Sequence, residues 1–176
     1  MILFDDVVTL RAIDENDADV LMEMINDPEI EGSVVGYSYP VSLNQQKKWI
    51  AELKNDSTVR YMIDYKEEPV GVISISSLDL KNRCGNLNIK LVQKARGNGV
   101  ATKVVKLLVD YCFNQLNLNC VYANVLENNE ASNKLWRKLG FHFDGRLRQR
   151  VYKNGEYHDL CSYSLLKDEF DERNWQ

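Results

Sequence analysis

The most informative segment of the chain is Lys94-Ala-Arg-Gly-Asn-Gly-Val-Ala-Thr102. It follows an apolar, strand-like segment at 87–92 and precedes an amphipathic helical pattern at 102–115. Gly97 and Gly99 allow a tight turn and leave no side chain between the backbone and a ligand. The first N–H groups of the helix then point to one place, where the helix dipole favours negative charge. The stretch therefore predicts a pyrophosphate site, with an ordinary strand-to-helix turn as the alternative, because it lacks the endings of the Walker and dinucleotide motifs.

The sequence on either side of this stretch predicts an α/β (α+β) domain. Segments rich in branched and aromatic residues, which are typical of strands, alternate with segments of helical periodicity. Short turns make the strands before residue 94 antiparallel, whereas the helix after it provides the long connection that a parallel pair requires. The result is a mixed, mostly antiparallel sheet of about seven strands flanked by about four helices. Predicted strands cover 7–11, 59–65, 70–78, 87–92, 120–125, 141–152 and 157–166, and predicted helices follow residue 14, begin at residue 42 and cover 102–115 and 129–139.

Two further expectations concern the N-terminal third of the chain. Residues 27–40 contain two prolines and two glycines, which predicts a loop. Ser42, with Gln45 three residues later, has the pattern of a capping box and predicts the start of a helix. Within that helix, Trp49 and Leu53 are expected to face the core.

Composition and charge restrict the class of protein. The 176 residues are 44% hydrophobic and 27% charged, which predicts one soluble globular domain over residues 1–176. A net charge of −4 argues against nonspecific binding to nucleic acid or to an anionic membrane. The four cysteines form no CxxC pair, and the acidic N-terminus does not resemble a signal peptide. We therefore expect a cytoplasmic protein with reduced thiols and no metal; its oligomeric state is open, a homodimer included.

A second informative stretch, Val125-Leu-Glu-Asn-Asn-Glu-Ala-Ser-Asn-Lys-Leu-Trp-Arg-Lys-Leu-Gly-Phe141, lies about 25 residues after the first. The two stretches together resemble the signatures of the GNAT superfamily of N-acetyltransferases. Arg96-Gly-Asn-Gly-Val-Ala101 is similar to the family's R/Q-x-x-G-x-G/A motif, which holds the pyrophosphate of acetyl-CoA. The second stretch is similar to V-x-x-x-N-x-x-A/S-x-x-L-Y-x-K-x-G-F. The resemblance covers nearly the whole chain and implies a single GNAT-like domain, close to the branch of ribosomal-protein N-terminal and amino-sugar acetyltransferases.

The resemblance also implies which residues bind acetyl-CoA. Backbone groups of Leu91 and Val92 would pair with the pantetheine amides like an added strand, and the Val92 N–H would polarise the thioester carbonyl. Asn129 would contact the cofactor or cap its helix, and Ser132 would lie near the thioester. Trp136 would pack on the apolar arm of the cofactor or simply fill the core. The pyrophosphate would be held by backbone amides of Arg96, Gly97, Asn98, Gly99, Val100, Ala101 and Thr102.

Two positions depart from the family pattern. Trp136 replaces a tyrosine that often protonates the departing thiolate, and an indole N–H cannot be released usefully at neutral pH. Asn86 replaces a glutamate that often acts as the general base. Proton transfer would then depend on a water chain, on Ser132 or on Glu127, with His158 as a further candidate base.

The implied function is the transfer of an acetyl group from acetyl-CoA to a primary amine, by direct attack in a ternary complex. The acceptor is a protein N-terminus or a small amine, such as an amino sugar or a polyamine. Tyr37 and Tyr39 would line the acceptor pocket or belong to a surface loop. The alternative from another class is a catalytically silent acetyl-CoA-binding module, which the departures at Trp136 and Asn86 favour.

Overall fold

A computed structural model describes residues 1–171, which contain one eight-stranded sheet. The strands are β1 (Leu3–Phe4), β2 (Val8–Arg11), β3 (Val59–Tyr65), β4 (Glu68–Asp79), β5 (Cys84–Leu91), β6 (Cys120–Leu126), β7 (His142–Lys153) and β8 (Glu156–Leu166). Their order across the sheet is β1-β2-β3-β4-β5-β6-β8-β7. Neighbouring strands are antiparallel except for β5 and β6, which are parallel, as the sequence predicted.

The helices cover the two faces of the sheet unequally. They are α1 (Ala18–Asn26), α2 (Pro28–Ser33), α3 (Leu43–Ala51), α4 (Val100–Asn114), α5 (Glu130–Lys138) and α6 (Lys167–Asp171). The main core lies between α4, α5 and one face of the sheet, where Val104 and Leu108 of α4 pack with Ile73 and Tyr163. No helix within residues 1–171 has the length and apolar character needed to cross a membrane.

The opposite face of the sheet is only partly covered. Because side chains alternate along a strand, Asn86 and Asn88 project from β5 on the side away from the buried Leu87 and Leu91. Helix α1 packs on this side against β4. Over β5, β6 and β8 the face carries amide and hydroxyl side chains that remain partly accessible. This partly covered side is called the open face below.

Part of the predicted loop at 27–40 is helical, because Pro28 begins α2. Proline is well suited to the first helical position, where its fixed φ is already helical and its missing N–H costs no hydrogen bond. The Asp27 side chain caps the helix by accepting hydrogen bonds from the N–H groups of Glu29 (2.7 Å) and Ile30 (3.3 Å). The loop prediction was wrong over Pro28–Ser33, since the proline marks a helix start and not a break.

The capping box at Ser42 and Gln45 is confirmed, but the predicted inward face of α3 is wrong at one position. Trp49 is 40% exposed, and the guanidinium of Arg60 lies 5.7 Å from its ring centroid. Gln46 is the buried residue of this helix. A cation–π contact at the surface stabilises the indole there, so its hydrophobicity did not place it in the core. Strand β1 and helix α6 were not predicted, and they raise the strand count from about seven to eight.

Candidate active site

The two parallel strands separate along their length. Only three residue pairs join β5 to β6, from Cys84–Cys120 to Asn86–Tyr122. Beyond them, β5 stays paired with β4 as far as Leu91, while β6 stays paired with β8 as far as Leu126. A gap therefore opens between residues 87–91 of β5 and residues 123–126 of β6. We call this gap the wedge; its narrow end is at Asn86, and its wide end is at the C-terminal ends of both strands.

Backbone hydrogen bonding determines which groups of β5 face the wedge. The Val92 N–H donates to the Val70 carbonyl at 2.9 Å, so the backbone N–H of Val92 points toward β4 and away from the wedge. Because these directions alternate, Leu91, Ile89 and Leu87 turn their N–H and C=O groups toward the wedge. The prediction that the Val92 N–H polarises a thioester is therefore wrong in this structure, because that N–H is already used in the sheet. Ile89 and Leu87 were missed, since a sequence does not show in which register the alternation begins.

The glycine loop has the backbone conformation that the sequence predicted. Gly97 and Gly99 have φ angles of 78° and 77°, in the left-handed region that favours glycine. A Cβ atom at either position would meet nothing within 4 Å, so the space above the loop is open. Gly99 is the N-cap of α4 and supplies no side-chain cap.

The first turn of α4 presents several amides to this open space. The Lys103 N–H bonds to the Gly99 carbonyl at 3.2 Å, so the amides of Val100, Ala101 and Thr102 precede the first intrahelical hydrogen bond. These amides and the helix dipole create a favourable place for an anion. The Arg96 N–H differs, because it donates to the Gln93 carbonyl at 3.0 Å and cannot serve the same anion. The predicted amide set therefore begins after Arg96.

Asn129 controls the start of α5 at the wide end of the wedge. Its Oδ1 accepts a hydrogen bond from the Ser132 N–H at 3.0 Å, which confirms its predicted role as a helix cap. Its Nδ2 donates to the carbonyl of Ser33 in α2 at 2.9 Å. A direct contact between Asn129 and the cofactor stays a prediction.

Helix α2 contacts both walls of the wedge. On the β6 side it is joined to the cap of α5 through Ser33 and Asn129. On the β5 side, the Glu29 carboxylate lies 3.9 Å from the Arg96 guanidinium, whose Nε in turn donates to the Leu91 carbonyl at 3.1 Å. The short helix that the sequence did not predict thus spans the wide end of the site.

Trp136 lies in the core and is only 2% exposed. Its ring packs against Phe141 with a centroid distance of 4.8 Å, and its Nε1 donates to the Ser132 Oγ at 3.2 Å. The interpretation of Trp136 as a core aromatic is confirmed. Because its one polar group is bonded to Ser132, the indole fixes the orientation of that hydroxyl.

The two predicted proton-transfer residues lie at the same end of β6, one directly after the strand and one in the first turn of α5. The Glu127 carboxylate forms an ion pair with Arg146 at 2.7 Å, and Arg146 also lies 3.7 Å from Asp159. The Ser132 Oγ accepts the indole N–H and keeps its own proton available for donation. Glu127 is therefore committed to a cation, whereas the Ser132 hydroxyl has no acceptor among residues 1–171.

Asn133 is a structural residue of this region that the sequence predictions omitted. Its buried Nδ2 donates to the carbonyls of Leu126 (3.0 Å) and Asn129 (2.8 Å), and its Oδ1 accepts the Tyr163 hydroxyl at 2.8 Å. These bonds fix the end of β6 to α5. The signal was present in the sequence, because Asn133 occupies the same helix face as Trp136 and is polar.

The remaining candidates occupy the open face or the surface. His158 faces the Lys153 carbonyl through Nε2 at 3.2 Å, which ties it to the β7–β8 turn. Tyr37 and Tyr39 stack edge to face at 5.9 Å and are each 78% exposed. Asn86 stands at the narrow end of the wedge, and its Oδ1 is buried with no hydrogen-bond partner among residues 1–171.

Comparison with known proteins agrees with this architecture. An uncharacterized N-acetyltransferase of Bacillus licheniformis, p20, is 31% identical over 175 residues, covering 96% of this chain and 97% of the relative. The structure of spermidine N-acetyltransferase from Vibrio cholerae with CoA and spermine aligns with a TM-score of 0.86 at 21% identity, over 94% of this chain and 99% of the other. The RimL ribosomal L7/L12 α-N-protein acetyltransferase with CoA gives 0.86 at 22% identity, over 96% and 99%. At these identities the two structures establish the fold.

The wedge and the amide cluster at α4 fit an extended ligand that ends in a pyrophosphate. The model of the acetyltransferase (GNAT) domain matches residues 8–142, and the chain belongs to this family. The protein is thus an acetyl-CoA-dependent N-acetyltransferase of this family.

Proposed function

We propose that the protein transfers the acetyl group of acetyl-CoA directly to a primary amine within a ternary complex. The observation that carries the proposal is the wedge, where the edge of β5 at Leu87 and Ile89 has no partner strand within residues 1–171 and lies next to the amide cluster of α4. A pantetheine arm contains amides that pair with such an edge, and a pyrophosphate suits the helix start. The residues of the site therefore fit both ends of acetyl-CoA.

The position of the amide cluster sets the direction of the bound molecule. Val100, Ala101 and Thr102 lie at the wide end of the wedge, so the pyrophosphate binds there. The pantetheine arm then runs along Leu91 and Ile89 toward the narrow end. Helices α4 and α5 cover one face of the sheet, so the acceptor amine approaches from the open face.

The reaction forms the new N–C bond and breaks the C–S bond, and the amine proton is lost as CoA leaves. Positioning of the two reactants supplies much of the acceleration, up to ~7–11 kcal/mol in favourable systems. Ser132, whose hydroxyl is oriented by Trp136, lies at the wide end of the wedge and would pass a proton to the departing sulfur through a water chain. Glu127 serves as a proton relay only if its ion pair with Arg146 opens.

The proposal includes the chemical class of the amine acceptor. A protein N-terminus and a small amine both present the required uncharged nitrogen. The relatives support both, because one aligned structure is a ribosomal L7/L12 α-N-protein acetyltransferase and the other is a spermidine N-acetyltransferase with bound spermine. Residues 34–41 of this chain, Val-Val-Gly-Tyr-Ser-Tyr-Pro-Val, carry no carboxylate that would attract a polycation. This composition favours an amine with fewer positive charges than a polyamine.

The test is an acceptor screen with free CoA as the readout. Purified protein receives acetyl-CoA with peptides of different N-termini, amino sugars and polyamines, and CoA thiol is measured against reactions without acceptor. We expect amine-dependent CoA release for at least one class, with an acetylated amine detected by mass spectrometry. Tight binding of acetyl-CoA without release on any acceptor would contradict the proposal.

A further inference from the structure

Lys90 lies on the open face at the wide half of the wedge. It precedes Leu91 on β5, and its side chain projects to the opposite side from the core-facing Leu91. Its ammonium is thus on the side from which the acceptor approaches, beside the strand edge that holds the pantetheine arm. The side chain is half-buried.

A second lysine reaches the same region from β7. Lys153 is 8% exposed, and its Nζ donates to the Glu31 carbonyl at 2.6 Å and to the Glu31 Oε1 at 2.9 Å. Glu31 belongs to α2, and its charge also acts on Lys90. The Glu31 carboxylate is thus bonded to Lys153, and it acts on Lys90 only through its charge.

Lys90 is left with an excess positive charge. Within residues 1–171 no carboxylate lies at ion-pair distance from its Nζ. Burial lowers the pKa of Lys90; the charge of Glu31 offsets this in part, and the charge of Lys153 lowers it further. A half-buried cation of this kind gains free energy when an anion arrives.

We infer that Lys90 binds an anionic group, a carboxylate or a phosphate, carried by the amine acceptor. The inference rests on the proposed function, because it places the acceptor on the open face. It also distinguishes acceptors, since a polyamine would bring further positive charge toward Lys90 and Lys153. Like charges brought together in a partly buried site oppose binding.

The structure also limits how far the anion lies from the reacting amine. With the pantetheine arm in the proposed direction, the thioester and the reacting amine would lie toward the narrow end of the wedge, near Asn86, and Lys90 is four residues farther along β5. At the rise of a β-strand this separation is about 13 Å. An extended peptide has the same rise, and the lysine side chain shortens the span. A peptide acceptor would therefore carry its acidic side chain within its first three or four residues.

The experiment compares three peptides that differ only at residue 3, which is Glu, Gln or Lys, together with glucosamine and its 6-phosphate. Among the three peptides, and between the two sugars, we expect the highest kcat/KM for the acceptor that carries the anionic group. Lys90→Gln should lower kcat/KM for the Glu peptide about tenfold and change that of the Gln peptide less than twofold. Lys90→Glu should reverse the preference in favour of the Lys peptide. Lys48→Gln, on the exposed surface of α3, is the matched control and should change neither value.

The outcomes separate this inference from the proposed function. An equal loss on all acceptors in Lys90→Gln, or no preference for the anionic acceptors in the parent protein, would overturn the role of Lys90. Preference for the phosphorylated sugar alone would identify phosphate as the source of the anion. If no acceptor releases CoA, the affinities of the N-acetylated Glu and Gln peptides are measured in the presence of CoA. Equal affinities would then reject the anion site, and a Lys90-dependent difference would support it.

Discussion

Trp136 stands where family members often carry a tyrosine, and its burial gives a definite expectation for catalysis. Trp136→Phe keeps an aromatic ring against Phe141 but removes the indole N–H that bonds to Ser132. We expect a loss of about 1–3 kcal/mol in the free energy of unfolding, from lost volume and one hydrogen bond. Acetyl-CoA affinity and most of kcat should remain, which steady-state kinetics on the best acceptor will check.

Trp136→Tyr is the companion variant, because it restores a hydroxyl near the usual place. We expect it to hold or raise kcat. A hundredfold loss of kcat in Trp136→Phe, with folding and acetyl-CoA binding intact, would contradict the packing role. About 2.7 kcal/mol of transition-state stabilisation would then depend on the indole, through its control of Ser132.

Asn129 performs two separable tasks through the two ends of its amide. Asn129→Asp keeps an acceptor for the Ser132 N–H but cannot donate to the Ser33 carbonyl. We expect a loss of about 1 kcal/mol in the free energy of unfolding, and faster hydrogen exchange in α2 alone. Asn129→Ala removes the cap as well, and should cost about 1 kcal/mol more and loosen α5. Identical exchange in the two variants would show that the cap contributes nothing.

Among the secondary-structure elements, the loop before α4 gives the most specific prediction about CoA binding. Gly99 has a positive φ, so Gly99→Val would strain the backbone as well as fill the open space. Gly99→Asn is the sharper test, since asparagine tolerates this conformation. We expect CoA affinity to fall at least tenfold, measured by calorimetry, with about 1 kcal/mol lost from stability.

The matched control is Gly155→Asn, which has a φ of 86° and equally open surroundings in the β7–β8 turn. It should show the same small loss of stability and unchanged CoA affinity. Parallel changes in CoA affinity for Gly99→Asn and Gly155→Asn would mean that the loop is only a turn.

Sequence patterns predicted the elements that depend on local interactions. The strand–glycine–helix unit around Gly99 and the capping box at Ser42 each follow from the conformations of a few adjacent residues. Helix α2 was missed because a proline stops or starts a helix according to its position, and the cap at Asp27 decides which.

The contacts that define the site could not be predicted in the same way. The wedge depends on which partners β5 and β6 keep along their whole length. The directions of the β5 amides depend on pairing with Val70, which is 22 residues away from Val92 in sequence. The meeting of Lys90, Glu31 and Lys153 joins three distant elements. Such contacts are set by topology, which the periodicity of a single segment does not contain.

At the scale of the whole molecule, an ion cluster joins β2, β3 and the start of α1. Arg11 bonds to Asp17 at 2.8 Å and to Asp64 at 2.6 Å. Burial raises the pKa of Asp17, but its bonds to Arg11 and to the Asp14 N–H outweigh burial and hold the pKa below the ordinary value of 3.8. Because the folded pKa is depressed, the stabilisation is present above about pH 4 and is lost as pH falls through the folded value.

Asp17→Asn tests this cluster. We expect a loss of about 2–3 kcal/mol in the free energy of unfolding at pH 7, below the cost for fully buried pairs because Arg11 is 27% exposed. The variant should also lose less stability than the parent between pH 4 and pH 2, in urea titrations. Asp19→Asn, exposed on α1, is the control and should follow the parent curve. A parallel pH dependence in Asp17→Asn would contradict the depressed pKa.

The acetyl group either passes through a covalent acetyl-enzyme or is transferred directly to the amine, and the two routes give different kinetics. A covalent acetyl-enzyme would need a reactive nucleophile, and a cysteine is the usual candidate because its thiolate attacks thioesters readily. Cys112 is fully buried, and burial raises its pKa to about 12. Burial also raises the pKa of Cys161 and of Cys120. These three thiols are therefore poor nucleophiles at neutral pH, and under the proposed function the amine attacks the thioester directly. The fourth thiol, Cys84, is half-buried at the start of β5 and is tested with them below. We expect initial-velocity plots against acetyl-CoA and amine to intersect, as a sequential mechanism requires.

Mass spectrometry of the protein after incubation with acetyl-CoA alone supplies the independent check, and it should show no added acetyl group. Cys120→Ser, the half-buried thiol, should keep kcat within about twofold, because removing a thiol that forms no covalent intermediate leaves transition-state stabilisation unchanged. Parallel lines together with an acetylated cysteine would show that the acetyl group passes through the protein. The amine would then react after CoA has departed, and simultaneous occupation of the wedge and the open face would not be needed.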